Sequence, residues 1–185
     1  MSENKLRKEE LSFQKLNEQN LQLLISFRCI EKELEKFLVE DAWTNQKQGI
    51  SVTYLWFLKE TKELAGYVTL LTDSINLNAD LKKFFKEKDI HYKSLPALKI
   101  GRMAVSESKM RLGIGSIMIR FSIAVALNVY EKYAGCRFIV LDAKRNNDPN
   151  FDPIHFYKKI GFNVLMKREK GTVPMYLDIW LKNID

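Results

Sequence analysis

The sequence predicts an α/β fold in which a strand–helix–strand crossover sits inside a mixed sheet. Three observations predict it. Arg137–Ala143 carries the unbroken apolar run Phe138-Ile139-Val140-Leu141, which suits a strand covered on both faces. Gly113–Tyr133 is a long helical pattern, apolar on most sides through Ile117, Met118, Phe121, Val125, Leu127 and Val129, and a helix of that kind is expected to be covered by other elements. Ala97–Val105 comes before it as another strand, so strand, helix and strand follow in order.

The remaining elements fall into place around this unit. Leu11–Leu16 reads as an opening strand. A helix runs from Glu31 to about Gln48: Leu34, Phe37, Leu38 and Ala42 share a helical stripe, only Asp41 interrupts it, and Gly49 closes it. Val52–Leu58 and Leu64–Ile75 are rich in β-formers and flank the polar turn Glu60–Glu63, which predicts an antiparallel hairpin. Asn76–Lys93 is polar and basic, with Leu77, Leu81, Phe84 and Phe85 at helical spacing, and reads as a helical insertion. Pro153–Ile160 is a short helix stopped by Gly161. Asn163–Lys167 and Val173–Leu181 close the chain as strands. No repeat, low-complexity tract or Pro/Ser/Gly linker divides the sequence, so residues 1–185 are expected to form one domain, with residues 1–10 flexible.

Composition excludes several classes. With 46% hydrophobic and 29% charged residues over 185 positions, the chain reads as a soluble globular protein. Its two cysteines, Cys29 and Cys136, are far apart, outside any CxxC pattern and flanked by apolar residues, so they read as buried thiols rather than a disulfide framework. His91 and His155 lack ligand spacing with each other or with the cysteines, so no metal is expected. Met1–Glu10 is polar and has no apolar h-region, and the longest purely apolar stretch, Ile123–Leu127, is too short to span a bilayer. A cytoplasmic protein with no membrane partner is the expectation.

Charge is concentrated in two places. The net charge is +7, yet residues 82–111 hold nine Lys or Arg against three acids, and residues 144–171 hold seven against three. The rest of the chain is mildly acidic. Two basic segments of this kind point to an anionic partner.

The chemistry-bearing stretch is Ile100-Gly-Arg-Met-Ala-Val105, Ser106-Glu-Ser-Lys109, Met110-Arg-Leu-Gly-Ile-Gly115, Ser116. It is a strand, a loop and a pair of glycines opening a helix. Gly113 and Gly115 let the backbone curl and approach a ligand. The free N–H groups of the first helical turn, together with the helix dipole, then favour an anion such as a pyrophosphate. Lys109 and Arg111 add formal charge beside it. The pattern matches neither the dinucleotide fingerprint nor the P-loop, because neither GxGxxG nor GK[ST] is present. Spacing alone leaves a ligand-free tight turn open.

The stretch Arg102–Ser116 resembles the acetyl-CoA-binding motif of the GNAT superfamily of N-acetyltransferases, a strand followed by Q/R-x-x-G-x-G/A at the head of a helix. Gly113 and Gly115 take the glycine positions, while Met110 departs from the Gln/Arg position, with Arg111 next to it. A later segment, Pro153-Ile-His-Phe-Tyr-Lys-Lys-Ile-Gly-Phe162, is similar to the family's A-x-x-F-Y-x-x-x-G-F, through Phe156, Tyr157, Gly161 and Phe162. Three more segments resemble a GNAT subgroup: Phe27, Cys29, Leu34, Phe37, Leu38 and Ala42 of an opening motif, the strand Gly66–Leu70, and Pro174-Met-Tyr-Leu-Asp178. That subgroup includes toxins of toxin–antitoxin pairs that acetylate the α-amine of the amino acid on charged tRNA.

The resemblance implies a mostly antiparallel central sheet flanked by helices on both faces, with acetyl-CoA as co-substrate held across the central β-α-β unit. It places Met103, Ala104, Val105, Met110, Arg111, Leu112, Gly113, Ile114, Gly115, Ser116, Asn147 and Tyr157 at the cofactor. Tyr157 becomes the candidate general acid for the departing thiolate, a role that needs a proton donor in reach. A backbone N–H of the strand can serve the oxyanion. Lys93, Lys144, Arg145, Lys158 and Lys159 become candidate acceptor contacts, in a wider basic set with Lys82, Lys83, Lys86, Lys88, Lys167 and Arg168. Charged tRNA, a small antitoxin and a second copy of the chain are the implied partners. A protein or polyamine amine stays open as acceptor, and Asp142, Asp148 and Asp152 are the acids a polyamine would use. A non-catalytic CoA- or nucleic-acid-binding module on the same fold also stays open.

Overall fold

The computed structural model describes residues 5–146 and 152–181. Seven strands alternate with helices. The strands are β1 (Leu11–Lys15), β2 (Val52–Leu58), β3 (Leu64–Asn76), β4 (Ser94–Val105), β5 (Phe138–Lys144), β6 (Asn163–Val164) and β7 (Thr172–Asp178). The helices are α1 (Leu21–Leu24), α2 (Lys32–Lys36), α3 (Ala42–Lys47), α4 (Ala79–Lys86), α5 (Ile114–Lys132) and α6 (Pro153–Ile160). The strands form one sheet in the order β1-β2-β3-β4-β5-β7-β6. β1–β2, β2–β3, β5–β7 and β6–β7 are antiparallel. β4 and β5 are sheet neighbours joined through α5, which is the crossover the sequence predicts. The architecture is a mixed α/β sheet, mostly antiparallel and flanked by helices.

The chain divides into two compact units, residues 1–71 with 100–122 and residues 72–99 with 123–185. In the first unit, β1, β2 and the start of β3 pack over the helical segment that follows α1. The opening-motif residues Phe27, Cys29, Leu38 and Ala42 are buried together with Leu55 and Tyr67, and Leu34 and Phe37 pack against them. That motif is therefore core. Between α2 and α3 the helix runs as a π turn, Phe37–Asp41, where the Ala42 N–H reaches back to Phe37 O. The extra residue re-phases the stripe, which is why Asp41 stands exposed although α-helical spacing places it among the apolar residues.

In the second unit, Leu81 and Phe85 of α4 pack with Ile75, Leu77, Ala97, Phe138 and Val140. The β5 run is buried throughout, from Phe138 to Leu141, as its continuous apolar pattern requires. Arg137 Nε and Nη2 both donate to Asp178 Oδ2, at 3.2 and 2.8 Å, closing the start of β5 onto the end of β7.

Four predicted boundaries are corrected, one of them that of the last strand, which ends at Asp178 rather than Leu181. The helix expected over residues 76–93 is confined to α4. Asn78 caps it by accepting from Leu81 N–H at 2.9 Å, and Asp89, at φ 60°, turns the chain away from helix. β6 keeps two residues instead of five: Leu165 N–H still donates to Pro174 O at 2.9 Å, but Met166 and Lys167 are exposed. β4 begins three residues earlier than expected, at Ser94. The long helix α5 is buried at Ile117, Met118, Ile119, Ser122 and Ala126, whereas Ala124 and Tyr130 are exposed, so its cover is thinner than its composition predicts. By length and composition alone α5 could cross a membrane; the core helix of a globular protein passes the same test.

Candidate active site

The loop leaving β4 is fixed where it begins by backbone contacts of the first unit. Ser106 N–H donates to Ala65 O at 2.8 Å, and Glu107 N–H donates to Arg28 O at 3.0 Å. A 3-10 turn, Glu107–Lys109, follows. The chain then takes left-handed backbone at Arg111 (φ 63°) and Gly113 (φ 85°) and enters α5 at Ile114. At Gly113 that conformation favours glycine. The unpaired N–H groups of the first turn and the dipole of a long helix are features suited to an anion.

Ten of the expected cofactor residues are brought together here: Met103, Ala104 and Val105 on β4, Met110 to Gly113 in the loop, and Ile114, Gly115 and Ser116 in the first turn of α5. Ala104 and Ile114 are buried, Arg111 is exposed and the others are half-buried. Asn147 lies outside the described residues.

Two local contacts modify the expected charge. Lys109 Nζ sits 3.0 Å from Glu63 Oε2, so its ammonium is matched within the unit and does not act as an added cation. That hydrogen bond, helped by Thr61, holds the Glu63 carboxyl below its ordinary range. From the other side, Leu6 N–H donates to Leu112 O at 3.0 Å. The Lys5 stem lies 3.8–4.0 Å from where a Cβ on Gly113 would stand. The sequence offers no periodic signal for Lys5 at this loop.

An open cavity of about 430 Å³ adjoins the same loop, lined by Ser26, Arg28, Ser106, Glu107 and Ser108. Arg28 is set there by its own backbone, with Nη1 donating to Ile25 O and Phe27 O, both at 2.7 Å. None of these five stood among the expected site residues, although Ser106–Ser108 belong to the motif stretch and Arg28 to the opening motif.

Tyr157 lies on α6 in the second unit. Asp152 caps that helix by accepting from Ile154 N–H at 3.0 Å, Pro153 starts it, and Gly161 ends it at φ 104°. The Tyr157 ring is 8% exposed and packs edge-on against Phe156 and Phe162 at 5.2 and 5.5 Å. Burial pushes its phenol well above the ordinary value of 10.0. The hydroxyl therefore keeps its proton to a higher pH in the folded chain than a free tyrosine does.

The expected acceptor contacts are all exposed. Lys158 and Lys159 lie on α6 with Tyr157, and Lys144 ends β5. Arg145 Nη2 donates to Arg168 O at 2.6 Å. Lys93 belongs elsewhere in the unit, beside α4. Of the acids a polyamine would need, Asp142 is paired with Lys99 at 2.9 Å, Asp152 is a helix cap, and Asp148 lies outside the described residues. Among the described residues no cluster of His, Cys, Asp or Glu could hold a metal ion.

The fold has counterparts among solved structures. The structure of AtaT complexed with acetyl-methionyl-tRNAfMet matches over 94% of this chain and 98% of that one, with a TM-score of 0.76 and 20% identity. A tyrosine-to-phenylalanine mutant of KacT gives the same coverage and TM-score at 19% identity. AtaTR bound with AcCoA matches over 95% and 98%, with a TM-score of 0.72 and 21% identity. At these identities the likeness establishes the fold. The family follows from the model of the acetyltransferase (GNAT) family, which matches residues 19–162 and so takes in both β4 with its loop and the Tyr157 helix. The chain belongs to the GNAT acetyltransferase family and is by that membership an acetyl-CoA-dependent acyltransferase.

Proposed function

We propose that this protein moves the acetyl group of acetyl-CoA onto the α-amine of an aminoacyl-tRNA, in the manner of a cytoplasmic toxin. The observation that carries the acceptor assignment is the state of the charged side chains on the Tyr157 side. Asp142 and Asp152 are engaged in structural contacts, while Lys158 and Lys159 are exposed. Such a surface favours a polyanion and disfavours a polyamine. The AtaT structure with acetyl-methionyl-tRNAfMet supports the same choice.

The loop residues fit acetyl-CoA. The left-handed Gly113 and the first N–H groups of α5 would hold the pyrophosphate, and the β4 segment Met103–Val105 would line the acyl arm. Met110 brings no donor to this loop, so the backbone carries more of the binding. When bound, acetyl-CoA supplies an acyl group activated as a thioester. As the new C–N bond forms and the C–S bond breaks, Tyr157, whose phenol is protonated near pH 7, gives its proton to the departing sulfur, and the proton lost by the attacking nitrogen restores the phenol. An aminoacyl α-amine with a pKa of about 7.7–8.0 is partly neutral near pH 7, so no strong base is required.

The test is acetyl transfer from labelled acetyl-CoA to charged tRNA, run beside uncharged tRNA, polyamines and a protein mixture. Label appears only on charged tRNA. Tyr157→Phe lowers turnover by roughly 10²-fold or more while acetyl-CoA binding persists. Label on polyamine or protein instead overturns the acceptor assignment. As a toxin the protein has a small antitoxin partner and works as a homodimer; growth arrest on expression, relieved by that partner, checks the first, and light scattering the second.

A further inference from the structure

The second unit also holds a basic cavity beside α4. It is open, about 220 Å³ in volume, and lined by Lys82, Lys86, Ile90, His91, Tyr92 and Lys93. Its walls follow from local structure. α4 buries Leu81 and Phe85 in the core, so Lys82 and Lys86, one helical turn apart, share a face outside it. After α4 the backbone doubles back. Lys88 and Ile90 N–H groups both donate to Phe85 O, at 3.0 and 2.9 Å, and Asp89 N–H donates to Lys86 O at 3.0 Å. Farther on, Leu77 N–H donates to Lys93 O at 3.1 Å, so the segment between α4 and β4 is tied at both ends. Asp89 Oδ1 holds the His91 ring at 3.0 Å.

On this tied segment Tyr92 is 71% exposed, although a tyrosine ring contributes to folding only when it is covered. The cavity thus presents three ammonium groups, a flat ring in water and the apolar side chain of Ile90. Ammonium groups match a phosphate, and a flat exposed ring matches a base, since every base has a stacking face. We propose that this cavity binds a phosphorylated nucleoside, with its phosphate on Lys82, Lys86 and Lys93 and its base stacked on Tyr92. The single-stranded end of a tRNA is the source that the proposed function favours, and to that extent the inference rests on it; a free nucleotide carries the same chemistry.

The test is equilibrium binding of uncharged tRNA, and separately of adenosine monophosphate, to the full chain at fixed ionic strength. Tyr92→Ala weakens tRNA binding by about tenfold, the loss expected for one stacked base, while Tyr92→Phe retains it. Lys86→Ala weakens binding and lowers the slope of log K against log salt by about one. Acetyl-CoA binding is the same in all three. Equal tRNA and nucleotide affinities for Tyr92→Ala and the parent overturn the proposal. Tyr92-dependent binding of the mononucleotide alone upholds the site and assigns it to a free nucleotide. Transfer to charged tRNA is read separately: transfer without Tyr92-dependent binding removes this site and keeps the function, and Tyr92-dependent binding without transfer does the reverse.

Discussion

Gly113 enters α5 at φ 85°, where an L side chain is strained, and the nearest atoms to its missing Cβ beyond its chain neighbours are carbons of Lys5 at 3.8–4.0 Å. Space is therefore not what demands glycine here; backbone conformation is. Gly113→Ala is expected to cost about 1 kcal/mol of stability through that strain. It also tilts the first N–H groups of α5, so acetyl-CoA affinity falls by more than the stability loss accounts for. Thermal melts and titration with acetyl-CoA check the two effects apart, and unchanged affinity would remove the loop from the cofactor site. Gly115, with an ordinary helical backbone, lacks this constraint. The two glycines read alike as a motif and differ in the reason each is there. Lys109 shows the same limit of a one-dimensional reading: it counts as a loop cation in the sequence, but Glu63, across the unit, is its partner.

At the scale of elements, β3 approaches β4 closely at Gly66. A Cβ on Gly66 would stand 2.8 Å from Ala104 O and 3.4 Å from the end of Met118, so alanine there must displace backbone. Gly66→Ala is expected to destabilise by about 1–3 kcal/mol, as an overpacked contact does. Because Ala104 lies on the strand assigned to the acyl arm, the KM for acetyl-CoA rises with it; a loss of stability with an unaltered KM would separate that strand from the site. Strands such as β2, β3 and β5 were legible in the sequence because their apolar runs are what the sheet buries. The π turn at Phe37–Asp41 left only a trace, the misplaced Asp41, since a single inserted residue looks like a single polar exception. The helical stripe over residues 76–93 overreached because Asn78 and the turn at Asp89 set the helix ends, and neither alters the apolar spacing. The β4 loop and Tyr157 were legible through paired motifs. The cavity of Arg28 and Glu107 was not, because those residues meet through one backbone hydrogen bond between distant segments.

For the whole molecule, buried acids of weak strength set the response to alkali, and each unit has its own. Tyr67 is fully buried in the first unit and donates to Leu34 O at 2.8 Å; Tyr157 is buried in the second. Burial pushes both phenols well above the ordinary 10.0, with the Cys29 thiolate form adding to the effect at Tyr67. Cys29 is itself pushed up to about 11 by burial. All three groups therefore hold their protons in the folded chain over a range where the unfolded chain gives them up. The folded state then binds more protons than the unfolded one, so stability falls as pH rises. Below the unfolded values, 9.0 for the thiol and 10.0 for the phenols, their contribution is complete. Above pH 10 each phenol removes about 1.4 kcal/mol per pH unit until it ionises in the fold. Melting temperature is thus expected to be flat in these groups up to pH 9 and to drop steeply beyond 10. Tyr157→Phe and Tyr67→Phe should each make that drop shallower by one proton's worth, measured as the pH dependence of unfolding free energy in denaturant. An unchanged slope in Tyr157→Phe would mean that its phenol reaches water in the folded chain, and would weaken its assignment as a donor held in reserve by burial.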